Sequence, residues 1–130
     1  MSPADFCILC IEDNVELRED LVCELRCDGY VVREAGDGRE GLDIILGGDV
    51  DLVLCDVQLP SLDGIGLLRE LQRRTIAPPT MVMLTAYSDR VTRDLALAAG
   101  AHAVMVKPID FDEVLALAAA VRVQAPLRGR

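Results

Sequence analysis

Four short apolar runs in this chain end in side chains that can do chemistry. Residues 6–11 end in Glu12-Asp13, residues 52–55 in Asp56, residues 80–84 in Thr85 and residues 103–106 in Lys107. Three carboxylates brought together without basic neighbours repel one another, and a hard divalent cation held through oxygens relieves the repulsion. Mg2+ suits so partial a cage, because it keeps waters and takes further oxygens from a phosphoryl donor. Asp56 would then be a carboxylate nucleophile able to form an aspartyl-phosphate. Lys107 and Thr85 offer the cation and the hydroxyl donor that charge developing on a transferring group requires. One acid at the end of a run is ordinarily a solvated terminator. Matching residues at four separate run ends describe a site.

These residues meet only if the runs are parallel strands of one sheet. The run at 52–55 shows no alternation, the mark of a strand buried on both faces, and a Pro/Gly-punctuated loop follows it. Between the runs lie helical stretches with recognisable ends. Asn14 caps a helix to about Asp28, stopped by Gly29; a second strand covers 30–35. Asp37-Gly38 turns into a helix through Leu42, Ile45 and Leu46, closed by Gly47-Gly48. A third helix runs from Gly64 to about Thr75 on Leu67, Leu68 and Leu71, and Pro78-Pro79 introduces the strand at 80–84. Ser88, followed by Asp89, opens a helix with Val91, Leu95 and Ala98 along one face, ended by Gly100. Asp110 caps the last helix, 111 to about 125. Alternating strands and helices make an α/β fold with five parallel strands, and right-handed crossovers bring all five strand C-termini to one edge.

With 130 residues the chain is long enough for one domain with a sizeable core; we expect it over 1–125, with 126–130 as a tail. A net charge of −9 argues against direct nucleic-acid contact. The first residues lack a basic signal region, and the longest apolar run, 114–121, is far too short to span a membrane. The protein reads as cytoplasmic. Its five cysteines, an odd number without a signal segment, read as reduced thiols. Cys7 and Cys10 would point to opposite faces of a strand, while Cys23 and Cys27 are surface thiols with no further ligand to complete a metal site. His102 is read as a loop residue.

The order Glu12-Asp13, Asp56, Thr85-Ala86, Lys107-Pro108, with Leu59-Pro60 and Asp63-Gly64 after the central acid, resembles the receiver domain of bacterial two-component response regulators. The resemblance spans about residues 5–125 and implies a doubly wound, flavodoxin-like (βα)5 sheet of order 2-1-3-4-5, with a cis Lys107–Pro108 bond. It implies a phosphoacceptor signalling domain that catalyses only its own phosphorylation and dephosphorylation. Asp56 would take the phosphoryl group from a histidine kinase or phosphotransfer protein. Glu12, Asp13, Asp56 and the backbone carbonyl of Gln58 would hold Mg2+, Thr85 would swing toward the phosphoryl oxygen, and Lys107 would pair with it. Two features depart from the family. Val104 stands where an aromatic switch residue is usual, and Tyr87 is the only aromatic near the site; with Gln58 it would line the approach of hydrolytic water. A haloacid-dehalogenase-type phosphatase is disfavoured because Gln58 replaces the second acid of its Asp-x-Asp, and no phosphate loop for a flavin follows the first strand. Since every residue from 114 to 121 is apolar, the last helix is expected to leave an Ala/Leu/Val patch for a second copy or an output domain.

Overall fold

The computed structural model describes residues 1–75 and 77–125. Ile76 and the tail expected at 126–130 lie outside them. Five strands, β1 (Cys7–Ile11), β2 (Val31–Ala35), β3 (Leu52–Asp56), β4 (Thr80–Thr85) and β5 (Ala103–Val106), form one sheet in the order β2-β1-β3-β4-β5. Every neighbouring pair is parallel. The connections are α1 (Val15–Cys27), α2 (Gly38–Leu46), α3 (Gly64–Arg74) and α4 (Arg90–Ala98), and α5 (Phe111–Gln124) follows β5.

The unbroken apolar runs are explained by a sheet covered on both sides. Ile8, Cys10, Leu52, Leu54, Val82 and Leu84 pack toward Leu21 and Leu25 of α1 and Val114 and Ala118 of α5. The alternate residues Leu9, Ile11, Val53, Cys55, Met81 and Met83 pack toward α2, α3 and α4. Each fully buried Leu or Ile contributes roughly 1.5–3 kcal/mol, so the three central strands carry the fold. The cysteines follow the same logic. Cys7, Cys10 and Cys55 are buried, Cys23 and Cys27 exposed. Burial pushes the Cys10 thiol up to about 12, so it stays protonated and inert.

The helix starts fall where the capping residues stand. Asn14, Asp37, Asp63 and Asp89 each accept from the backbone N–H three residues on, and Asp110 accepts from Asp112. In the fourth helix the cap is Asp89 rather than Ser88. The face shared by Val91, Leu95 and Ala98 is turned away from the core. Ala96 and Ala99 meet the core, whereas Val91 and Leu95 are 69% and 46% exposed and Ala98 is exposed as well. Small side chains let α4 approach the sheet, so its larger apolar residues are left outside. In α5 the correction is milder. Leu115, Leu117 and Val121 are partly covered by the core, and the outward side shows mainly Ala116, Ala120 and Val123. No helix among the described residues is long and apolar enough to cross a membrane.

Candidate functional site

Strand alternation decides which side chains converge at the C-terminal edge. Glu12, Asp56 and Lys107 continue the strand rows of Cys10, Leu54 and Met105, which all belong to the α1/α5 side. Thr85 continues Met81 and Met83, on the other side. The convergence is direct. The Lys107 ammonium donates to Glu12 Oε1 at 2.7 Å and to Asp56 Oδ2 at 2.6 Å, joining residues 95 and 51 positions apart in sequence. Glu12 and Asp56 are buried, Lys107 is half-buried, and Asp13 is exposed. One oxygen from each of Glu12, Asp13 and Asp56 lies within 4.8 Å of the others, and no other group of three acidic, His or Cys ligands gathers so among the described residues.

Burial is the largest influence on Glu12; it outweighs the Lys107 contact and raises the carboxyl to about 7. Burial also opposes the charge on Lys107, but its hydrogen bonds to Asp56 and Glu12 prevail and its pKa is raised. The ammonium is thus locked in its charged form between two acids. Both acids are further held by backbone. Asp56 Oδ1 accepts from the Gln58 N–H at 2.9 Å, and Glu12 Oε2 accepts from the Asn14 N–H at 3.1 Å. Gly64 lets the β3–α3 loop close over the strand end, since a Cβ there would lie 2.6 Å from the Asp56 carbonyl oxygen.

The other site residues named from the sequence lie on β4, β5 and the loops that follow β3 and β4. Thr85 is buried, and its hydroxyl oxygen accepts from the Tyr87 N–H at 3.0 Å. The Lys107 N–H donates to the Thr85 carbonyl at 2.7 Å, and the Lys107–Pro108 bond is cis. Val104 packs half-buried against the α2–α4 core, on the same side of the sheet as Thr85. Tyr87 is half-exposed and does not stand alone: the Gln58 side-chain amide donates to its hydroxyl at 3.1 Å. The two residues expected to line the approach of hydrolytic water are therefore hydrogen-bonded to each other. Arg18 escaped the sequence reading; its Nη1 donates to the Glu12 carbonyl at 2.8 Å and its Nε to Glu34 at 3.2 Å, steadying the acidic turn. Its position one turn into α1 was the available signal, but its partner Glu34 is on another strand. His102 takes a loop position, its Nδ1 accepting from the Met81 N–H at 3.3 Å.

The sequence profile of the response regulator receiver domain matches residues 8–119, nearly the whole chain. This chain belongs to the receiver family of two-component response regulators. The receiver is similar to the transcriptional regulatory protein PdtaR of Mycobacterium tuberculosis, with 40% identity over 109 residues, 83% of this chain and 52% of that protein. It thus spans about half the length of that relative. Its fold matches a chain from the co-crystal structure of the Saccharomyces cerevisiae histidine phosphotransfer protein Ypd1 with the receiver domain of its downstream response regulator Ssk1. There the TM-score is 0.86 at 25% identity, over 97% of this chain and 95% of that one. A chain from the CheX-CheY-BeF3-Mg complex of Borrelia burgdorferi matches with a TM-score of 0.81 at 25% identity, over 92% and 90% of the two chains. Receiver domains as a class bind Mg2+ and partner with histidine kinases or phosphotransfer proteins, and this receiver is a signalling domain of that class.

Proposed function

We propose that Asp56 of this receiver accepts a phosphoryl group from the phosphohistidine of a kinase or phosphotransfer protein. The observation that carries the reading is the Lys107 ammonium, within 2.7 Å of both Glu12 and Asp56 beside a three-carboxylate cluster. All the donors are hard oxygens at one strand edge, which fits Mg2+. Glu12, Asp13, Asp56 and the Gln58 carbonyl would hold it. When bound, Mg2+ would neutralise the cluster and take up phosphoryl-oxygen charge.

The chain's own residues do the rest. An Asp56 carboxylate oxygen forms the new O–P bond as the N–P bond of the phosphohistidine breaks; the electron pair leaves with the imidazole, which takes a proton from solvent. Lys107 stays charged throughout and passes from carboxylate partner to phosphoryl partner, its two acids keeping it in place beforehand. Thr85 exchanges the Tyr87 N–H for a hydroxyl donation to the phosphoryl oxygen. That exchange disturbs the β4–α4 connection, which leads to the exposed face of Val91, Leu95 and Val106. This face, with α5, would carry the signal to a second copy or an output domain, without direct nucleic-acid or membrane contact. The receiver catalyses only its own phosphorylation and dephosphorylation, over residues 1–125, and the setting is cytoplasmic.

Labelling by acetyl phosphate or carbamoyl phosphate tests the assignment. Parent protein should be labelled in the presence of Mg2+ and not in chelator, and Asp56→Asn should not be labelled at all, because an amide is no carboxylate nucleophile. Undiminished labelling of Asp56→Asn would refute it.

A further inference from the structure

The loop from Val57 to Asp63 carries the Gln58 carbonyl, and its two ends are pinned at the sheet edge. The Val57 N–H donates to the Leu84 carbonyl at 2.9 Å, and the Gly64 N–H donates to the Val57 carbonyl at 2.8 Å. Its tip makes a much tighter turn. The Leu62 N–H donates back to the Pro60 carbonyl at 2.8 Å, and Ser61 between them has φ 65°. A hydrogen bond across one residue that is held in the left-handed region by a side chain other than glycine is strained. Such turns persist where the surroundings over-determine them, and they cluster at functional sites.

The surroundings here are the N-terminus of α2. Ser61 Oγ donates to Asp37 Oδ1 at 3.1 Å and accepts from the Arg39 N–H at 3.3 Å. The Gly38 N–H donates to the Pro60 carbonyl at 3.3 Å. A Cβ on Gly38 would sit 1.7 Å from the Leu62 carbonyl oxygen, so loop backbone occupies the space a side chain would need. The Asp37 carboxylate meanwhile caps α2 on the Glu40 N–H at 2.9 Å, which fixes it as an anchor.

We propose that Asp37, Gly38 and Ser61 form a latch that clamps the loop tip to α2 and so positions the Gln58 carbonyl for Mg2+. These are positioning residues, and the inference rests on the function proposed above. The physical reason is leverage. Gln58 is held on one side by its N–H on Asp56 and on the other by the clamped tip beginning at Pro60. With the tip released, the peptide between Gln58 and Leu59 can rotate and swing the carbonyl while the Asp56 carboxylate stays put. Mg2+ demands near-ideal octahedral geometry and tolerates a misplaced ligand poorly.

Ser61→Gly separates a latch from mere packing. Glycine adopts φ 65° without strain, which offsets the loss of the hydroxyl that donates to Asp37 and accepts from the Arg39 N–H, so the fold keeps its stability. The expected result is a rise of about five-fold in the Mg2+ concentration that half-saturates acetyl-phosphate labelling, the combined worth of the two exposed hydrogen bonds the hydroxyl makes. The labelling rate at saturating Mg2+ should stay near that of the parent, and the urea midpoint should not fall. Gly38→Ala, which drives a methyl group against the Leu62 carbonyl, should raise the half-saturating Mg2+ further; if it does not fold, Ser61→Gly decides alone. A parent that is labelled, with an unchanged Mg2+ requirement in Ser61→Gly, overturns the latch and leaves the function standing. A parent that is not labelled overturns the function and the latch with it.

Discussion

Replacing Lys107 by methionine removes the cation that lies between two buried carboxylates. Its ammonium is 2.7 Å from Glu12 Oε1 and 2.6 Å from Asp56 Oδ2, with side-chain exposures of 23% for Lys107, 1% for Glu12 and 7% for Asp56. Breaking a buried pair from one side costs roughly 3–5 kcal/mol, because the abandoned charge is left desolvated. Two considerations set the value here. Two acids are abandoned rather than one, which raises the cost. Against that, Glu12 is already pushed up to about 7, so it can take a proton near neutral pH and shed its charge cheaply. The lower end of the range, about 3 kcal/mol, is therefore expected, a drop in Tm of roughly 10 °C for a domain of this size. Thermal unfolding followed by circular dichroism, at neutral pH in chelator, measures it. Millimolar Mg2+ should restore more of the loss in Lys107→Met than it adds to the parent, since the ion replaces the missing positive charge. A Tm within about 2 °C of the parent, on a scale of roughly 3 °C per kcal/mol, would show that the ammonium does not hold the cluster together. An equal Mg2+ gain in both proteins would refute the same reasoning from the metal side.

The Gln58–Tyr87 pair should govern the lifetime of the phosphorylated form. Tyr87→Phe loses only the exposed 3.1 Å hydrogen bond, worth about 0.5 kcal/mol, and should shorten the half-life about two-fold. Tyr87→Ala also removes the ring and should shorten it several-fold with Mg2+ affinity nearly unchanged; a half-life that is the same or longer means the ring guards nothing. On the acid side, the backbone N–H of Thr92 is the first cause that lowers the Asp89 carboxyl below its ordinary 3.8. A depressed carboxyl contributes stability above its unfolded pKa and loses it as pH falls through the folded value. Asp89→Asn keeps a capping oxygen without a titrating one, so its urea midpoint should fall less steeply than the parent's below about pH 4, and parallel curves would exclude the cap as the cause. For the exposed Val91, Leu95 and Val106 face, sedimentation should show phosphodonor-dependent dimers of the parent that Leu95→Lys abolishes. A parent that stays monomeric at high concentration, with and without phosphodonor, counts against self-association.

The alternation of apolar runs with capped helical segments was enough to determine a five-stranded α/β sheet, because its central strands, buried on both faces, cannot carry polar residues until they end. The same rule exposed Glu12, Asp56, Thr85 and Lys107, each the first polar residue after an apolar run, with Asp13 directly after Glu12. Asn14, Asp37 and Asp110 marked helix starts through local hydrogen bonding within a few residues, whereas the structure put the fourth cap on Asp89 instead of Ser88 and the third on Asp63. What the sequence left open depended on contacts between distant segments. The three apolar residues of α4 at 91, 95 and 98 have helical spacing, yet spacing says only that they share a face; the sheet accepted the smaller Ala96 and Ala99 instead. Tyr87 and Gln58 became one unit only because β3 and β4 are neighbours and their following loops meet. The clamp from Asp37 to Ser61 joins residues 24 apart across a loop whose strained tip has no signature in a Pro-Ser-Leu segment. Lys107 could be assigned a charge and a strand end from its neighbours alone. Its place between Glu12 and Asp56 was decided by the strand order and by the pleat, which turn those three side chains to the same side of the sheet and Thr85 to the other.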